Sequence, residues 1–165
     1  KQRIEQAIND LNSTIRDIRA YILDLRPRKL HEENLTDGLR RLIAEFKANT
    51  LIEANLQSPP QGVRIPQTQA VALFHICQEA LANVGKHSYA RHVEISLWES
   101  SDRVLLEISD DGSGFDLNNT KFTLGHGLAN MQTRARNAGG DLEITSEPGA
   151  GTTILVWVPN LDENE

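Results

Sequence analysis

Three short stretches decide the fold of this chain: Gln78-Glu79-Ala80-Leu81-Ala82-Asn83-Val84-Gly85-Lys86-His87, then Asp110-Asp111-Gly112-Ser113-Gly114-Phe115, then Gly125-His126-Gly127-Leu128. The first has the pattern of a helix, and the other two have the glycines of turns. Together they offer an amide oxygen for a metal ion, an ammonium group for phosphate, a carboxylate for an exocyclic amine, and glycines where backbone approaches phosphate closely. Such a set predicts a site for ATP and Mg²⁺ without a P-loop.

Composition indicates one ordinary domain with an extension. The chain has 165 residues, of which 39% are hydrophobic and 24% charged. A net charge of −6 without a basic run argues against a nucleic-acid binder. The single cysteine, Cys77, excludes an internal disulfide and favours a reducing compartment. Since no long apolar run or signal peptide is present, we expect a cytoplasmic location without membrane contact. The chain starts inside a helical pattern without a Met, so we expect a piece of a longer protein, which can itself be membrane-anchored.

The first 25 residues predict a long helix with a narrow apolar seam. Its apolar positions alternate in steps of four and three: Ile4, Ile8, Leu11, Ile15, Ile18, Ile22 and Leu25. A strict seam of this kind favours a helical bundle or coiled coil, whereas a helix packed on its own domain usually has a broader stripe. The second possibility stays open from these residues alone. Pro27 ends the helix.

The remainder predicts helices that alternate with short strands. Strands are expected at 51–56, 92–98, 104–109, 142–145 and 152–158, and helices near 35–46, from Pro66 to Lys86 and at 128–138, with a polar loop at 110–124. This order predicts an α+β fold, a two-layer sandwich with a largely antiparallel sheet, preceded by the long N-terminal helix. We expect three regions: 1–28 as the end of a helical dimerisation region, 29–160 as the sandwich, and 161–165 as a tail.

The first stretch predicts a metal and phosphate site. Glu79 and Asn83 are four residues apart on a helix and therefore share one face. An amide oxygen suits Mg²⁺, so Asn83 is the expected ligand, and Lys86 can meet the phosphates as a point charge. His87 contacts the nucleotide or caps the helix end. The alternative is a solvated polar stripe, and the helix alone favours that alternative.

The second stretch predicts the binding site for the base. Asp110 stands at a strand end, where a partly desolvated carboxylate can accept a hydrogen bond from the adenine amine. Gly112 and Gly114 permit positive φ and leave space for a ligand. An Asp-Gly hairpin turn is the alternative, which the apolar Phe115 and the lack of an obvious paired strand downstream weaken.

The third stretch predicts a phosphate-binding helix start. Gly125 and Gly127 precede a helix whose N-terminal N–H groups carry partial positive charge. A role confined to starting the helix is the alternative for both glycines. Residues 116–124 before them suit a mobile lid or an ordinary surface loop equally well. His126 is expected to be a lid residue rather than a metal ligand.

These residues resemble the GHKL ATPase superfamily with its Bergerat fold, and within it the sensor histidine kinases of the nitrate-sensor and desaturase-sensor type. The stretch 79–87 resembles the N box, 110–114 the first glycine box and 125–128 the second. Asp24-Leu25-Arg26-Pro27 resembles the end of a dimerisation helix. The resemblance implies that nucleotide contacts come from all three boxes, Leu128 included, and that Thr152 on the closing strands helps to hold adenine.

The resemblance also implies an activity and partners. ATP and Mg²⁺ would be the cofactors, Glu79 and Lys86 the catalytic residues, and Asn83 with Glu79 the metal ligands. The γ-phosphoryl group would pass to a histidine and then to an aspartate of a response regulator, in a homodimer formed through the N-terminal helix. None of the five histidines lies in the expected acceptor motif, so the acceptor is expected before Lys1. Glu79 is therefore expected to position Mg²⁺ or its water rather than act as the general base.

Three other classes fit part of this pattern. A serine kinase of the anti-sigma-factor type shares the nucleotide boxes, but it is not expected to carry the Asp-Leu-Arg-Pro helix end. A dimerisation module with a vestigial, non-binding sandwich is the second class. An ATPase of the gyrase or mismatch-repair kind is disfavoured by the small size and short lid.

Overall fold

A computed structural model describes residues 2–25, 30, 33–122 and 126–160 of the chain. The elements, in chain order, are α1 (Gln2–Leu25), α2 (Leu35–Thr50), β1 (Glu53–Gln57), α3 (Gln67–Asn83), β2 (His92–Ser100), β3 (Arg103–Asp110), α4 (Gly127–Asn137), β4 (Asp141–Ser146) and β5 (Thr152–Pro159). A π-helical turn, Val84–Ser88, follows α3, and a 3₁₀ helix, Leu117–Phe122, lies in the region predicted to be a loop.

The five strands form one sheet in the order β1-β2-β3-β5-β4. All neighbouring pairs are antiparallel except β1 and β2. A parallel pair needs a crossover connection, and α3 provides it between β1 and β2. Asp110 at the end of β3 pairs with Val93 on one side and Thr152 on the other. This register places the predicted base-binding carboxylate directly beside the predicted adenine contact on β5.

One hydrophobic core joins the sheet to the helices. Alternate residues of β2 and β3, such as Val93, Ile95 and Leu106, are buried against a helical layer that includes Phe46 and Phe74. The period of two in these strands reflects a sheet with one buried face. The predicted two-layer α+β sandwich preceded by a long helix is confirmed.

Helix α1 leaves its apolar seam exposed. Ile4, Ile8, Leu11 and Ile18 are each more than half exposed, although α1 approaches α2, α3 and the π-helical turn. The seam is thus not buried against the chain's own domain up to Ile18. The side chains of Ile22 and Leu25, as well as Pro27 and residues 161–165, lie outside what the structure describes.

Candidate functional site

The first predicted stretch ends in a widened helical turn. Helix α3 stops at Asn83, not at Lys86, and Val84–Ser88 continue it as a π-helical turn. The Ser88 hydroxyl closes this turn because it donates to the Val84 carbonyl (2.8 Å) and accepts from the Ala90 amide (3.0 Å). Turns of this kind are frequent at functional sites. At the other end, Pro66 caps α3 rather than forming its first residue.

The second stretch buries one carboxylate. Oδ1 of Asp110 accepts the backbone N–H of Gly112 (2.8 Å), and the carboxylate also accepts the backbone N–H of Thr152. Burial raises the pKa of Asp110 above its ordinary value; the Gly112 N–H lowers it, the negative charge of Asp111 raises it and the Thr152 N–H lowers it. The net effect is a raised pKa. A partly desolvated acceptor is the group that the sequence predicted here.

The glycines of this turn make room for neighbouring backbone. A methyl group on Gly112 would overlap the Ser88 carbonyl oxygen, and one on Gly114 (φ 58°) would overlap the Glu147 carbonyl oxygen. The Ser113 amide donates to Ser88 (2.7 Å), so the turn packs directly on the end of the π-helical turn. The next partner of β3 is β5, which follows α4 and β4 in the chain. The Asp-Gly sequence is therefore not a hairpin turn.

The third stretch brings α4 against the first. A methyl group on Gly127 would overlap Oε1 of Glu79 and lie 3.5 Å from Nδ2 of Asn83. This Nδ2 is buried and lacks a hydrogen-bond partner within the described part of the chain. His126 is exposed at the N-cap of α4, and its side chain makes no capping bond there. Gly125 lies outside the described residues.

A pocket with about 470 Å³ of empty space, partly open to solvent, lies where the three stretches meet. Its apolar walls are Ala80, Val84, Ile108, Phe115, Leu128 and Ile154. Its polar lining is Asn83, His87, Ser88, Asp110, Ser113 and Thr152, with Gly114. An apolar slot with one buried carboxylate suits a flat heterocycle that carries an amine.

The structure brings most of the predicted site residues together. Six of them line the pocket: Asn83, His87, Asp110, Gly114, Leu128 and Thr152. Two glycines contact residues of this lining, Gly112 through a hydrogen bond to Asp110 and Gly127 through its position beside Asn83. Glu79 contacts the start of α4, and Lys86 lies on the π-helical turn without lining the pocket. Sequence reasoning assigned no site role to seven residues that line the pocket: Ala80, Val84, Ser88, Ser113, Phe115, Ile108 and Ile154. Strand alternation could have found the last two, because they share a sheet face with Asp110 and Thr152.

The model of the family described as "Histidine kinase-, DNA gyrase B-, and HSP90-like ATPase" matches residues 68–162. The chain belongs to this family. The match begins one residue after the start of α3 and covers all three predicted stretches. The predicted superfamily is thereby confirmed.

The relatives carry the names of sensor kinases. The signal transduction histidine-protein kinase/phosphatase DegS of Brevibacillus brevis is 33% identical over 149 residues, covering 90% of this chain and 38% of DegS. The sensor protein VraS of Staphylococcus epidermidis is 33% identical over 166 residues, covering 98% of this chain and 47% of VraS. Among solved structures, the ATP binding domain of PrrB from Mycobacterium tuberculosis matches with a TM-score of 0.65 and 25% identity, over 79% of this chain and 96% of that domain. The chain spans less than half the length of both curated relatives.

Proposed function

We propose that this chain is the ATP-binding catalytic domain of a sensor histidine kinase. It transfers the γ-phosphoryl group of ATP to a histidine outside the chain, from which an aspartate of a response regulator receives it. The family, the names of the relatives and the pocket support this proposal. The single observation that carries it is Asp110, a buried carboxylate facing an otherwise largely apolar pocket.

Asp110 selects adenine in this proposal. Its carboxylate accepts a hydrogen bond from the exocyclic amine, while Ile108, Leu128 and Ile154 contact the apolar faces of the ring. Guanine presents a carbonyl oxygen at the same place and would repel the carboxylate. Thr152 contributes through its backbone N–H, which holds Asp110 in place.

Asn83 and Glu79 are the residues that would hold Mg²⁺. Both lie against Gly127 at the start of α4, and their side-chain oxygens are the atoms that would ligate the ion. A nucleotide-bound Mg²⁺ needs only one or two protein oxygens, since phosphates and waters complete its shell. Such an ion does not need a cluster of three acidic, histidine or cysteine ligands, and the described residues contain no such cluster. When bound, the ion would neutralise charge on the phosphates.

Phosphoryl transfer requires mainly alignment and charge stabilisation. Lys86, His87 and the N–H groups at the start of α4 stabilise the triphosphate charge in our proposal. The bond from the γ-phosphorus to its bridging oxygen breaks, and a bond to the acceptor imidazole nitrogen forms. Glu79 orients the metal or its water and takes no proton.

Helix α1 forms the homodimer in this proposal. Its exposed apolar seam would be buried against the same seam of a second copy, as in a helical bundle. No helix among the described residues is long and apolar enough to cross a membrane. We place the domain in the cytoplasm, where ATP and a response regulator are available, and we assign it no nucleic-acid partner.

Calorimetric titration of the chain with ATP and Mg²⁺ tests the nucleotide part of the proposal. Asp110→Asn and Asn83→Ala should each weaken binding about tenfold or more, because each removes a polar contact in a desolvated site. Asn137→Ala, at the exposed far end of α4, is the matched control and should bind like the unchanged chain. No binding, or binding that all three variants retain, would favour the vestigial dimerisation module.

Acid treatment of the phosphorylated longer protein tests the acceptor. Phosphohistidine is acid-labile, whereas phosphoserine survives. Loss of the label in acid is the expected result. An acid-stable label would instead identify a serine kinase of the anti-sigma-factor type.

A further inference from the structure

Asp111, the neighbour of Asp110, is tied to a different segment. Its Oδ1 accepts the backbone N–H groups of Arg91 (2.8 Å) and His92 (2.9 Å), and its Oδ2 lies 3.1 Å from Nδ1 of His92. Its own amide donates to the His92 carbonyl (3.2 Å). One carboxylate therefore fastens the start of β2 to the turn that follows β3.

The segment that Asp111 holds begins at the pocket wall with a residue in a strained backbone conformation. Ser88 lines the pocket, and the next residue, Tyr89, has φ 53°, a left-handed conformation that is costly for a bulky residue. Such a conformation persists only where its surroundings fix it. Two contacts from the Asp110–Gly114 turn do so: the Ser113 amide bonds to Ser88 before Tyr89, and the Asp111 carboxylate bonds to Arg91 and His92 after it.

We propose that Asp111 is a positioning residue for the nucleotide site, which holds the exit of the π-helical turn and so sets where Lys86 and His87 stand relative to Asp110. This inference rests on the proposed function. It gives two adjacent carboxylates different tasks: Asp110 contacts the base, and Asp111 fixes the end of the segment that carries Lys86 and His87.

The electrostatics of the two carboxylates agree with this division. The backbone N–H of His92, followed by that of Arg91 and the His92 side chain, holds the pKa of Asp111 below its usual value despite partial desolvation. Asp111 thus stays an ionised acceptor under conditions in which burial favours protonation of Asp110. Its contribution comes from accepting two N–H groups, which an amide oxygen can also do.

Titrations of the full chain with ATP and with adenosine test the inference. Asp111→Ala should weaken ATP binding about tenfold and adenosine binding less than about twofold, because the phosphate side is displaced while Asp110 keeps its own partners. Asp111→Asn should bind both ligands like the unchanged chain. Asp141→Ala is the matched control: Asp141 accepts the Leu142 amide (2.8 Å) at the start of β4, at the opposite end of the sheet from Thr152. It should lower the Tm and leave both affinities unchanged.

The ratio of the two affinities separates positioning from general destabilisation. An Asp111→Ala chain that keeps the ATP-to-adenosine ratio of the unchanged chain would overturn the inference, and so would an Asp111→Asn chain that behaves like Asp111→Ala. If Asp111→Ala does not fold, Asp111→Ser, whose hydroxyl is too short for both acceptor bonds, is tested for the same ratio. Absence of ATP binding by the unchanged chain would refute the proposed function and this inference with it.

Discussion

Replacement of Gly112 by alanine should damage both stability and nucleotide binding. The added methyl group would overlap the Ser88 carbonyl oxygen and lie 2.7 Å from both Asp110 Oδ1 and Ser88 Cβ. Carbon atoms in contact are normally about 3.5 to 4 Å apart, so the turn must move by about 1 Å. No rotamer of alanine relieves these overlaps, because a methyl group has no alternative position.

The cost follows from the two hydrogen bonds that this movement strains. They join Ser113 to Ser88 (2.7 Å) and Gly112 to the charged Asp110 (2.8 Å). Loss of one neutral and one charge-assisted bond lowers the free energy of unfolding by about 3 kcal/mol. For a protein of this size, that corresponds to a fall in Tm of about 6 to 12 °C.

Urea unfolding and ATP calorimetry on the same samples measure both effects. Gly149→Ala is the control: Gly149 has φ 83°, but a methyl group there would meet nothing within 4 Å. It should lower the free energy of unfolding by about 1 to 2 kcal/mol through backbone strain alone and leave ATP affinity unchanged. A Gly112→Ala chain with unchanged stability and ATP affinity would refute the reasoning.

Three further changes have distinct expected outcomes. In Gly127→Ala the methyl group meets the far end of the flexible Glu79 side chain, so the free energy of unfolding should change by less than about 1 kcal/mol. The Mg²⁺-dependent part of the ATP affinity should fall about tenfold. Titrations with and without Mg²⁺ that agree with the unchanged chain would contradict this. Because the pKa of Asp110 is higher in the folded than in the unfolded chain, its ionised form destabilises the fold at a pH above the folded-state pKa. This destabilisation disappears as the pH falls towards 3.8, the ordinary pKa of the carboxyl group in the unfolded chain. Asp110→Asn should therefore raise the Tm in calorimetric scans at neutral pH and less so in acid, while ATP binding weakens about tenfold or more. A lower Tm at neutral pH would contradict this. In Leu11→Ser, on the exposed seam, the dimer dissociation constant in analytical ultracentrifugation should rise at least about tenfold, and unchanged self-association would exclude the seam.

Local sequence patterns account for the elements but not for their ends. Alternation in β2 and β3 and the apolar spacing of α2 were sufficient because one face of each is buried. The change from α-helical to π-helical geometry after Asn83 was not predicted. The π-helical turn ends at Ser88, which accepts a bond from Ser113, 25 positions along the chain. The parallel pairing of β1 with β2 likewise depends on the α3 crossover, which no residue in either strand specifies.

The sequence predicted which residues form the candidate site better than it predicted the role of each residue. Asp110 was expected to be partly desolvated, and it is buried. Gly112 was expected to leave space for a ligand, but it makes room for the Ser88 backbone, a contact that only the folded chain creates. The contact between Glu79 and Gly127 is also tertiary, because β2 and β3 separate α3 from α4 in the chain.

A crystal structure of the chain with a non-hydrolysable ATP analogue and Mg²⁺ tests the central claim most directly. We predict that the adenine amine lies within hydrogen-bond distance of an Asp110 carboxylate oxygen, with the phosphates near the start of α4. A nucleotide bound elsewhere would contradict the account, for example in the open groove between α3 and α4 beside Thr68, Asn130 and Arg134.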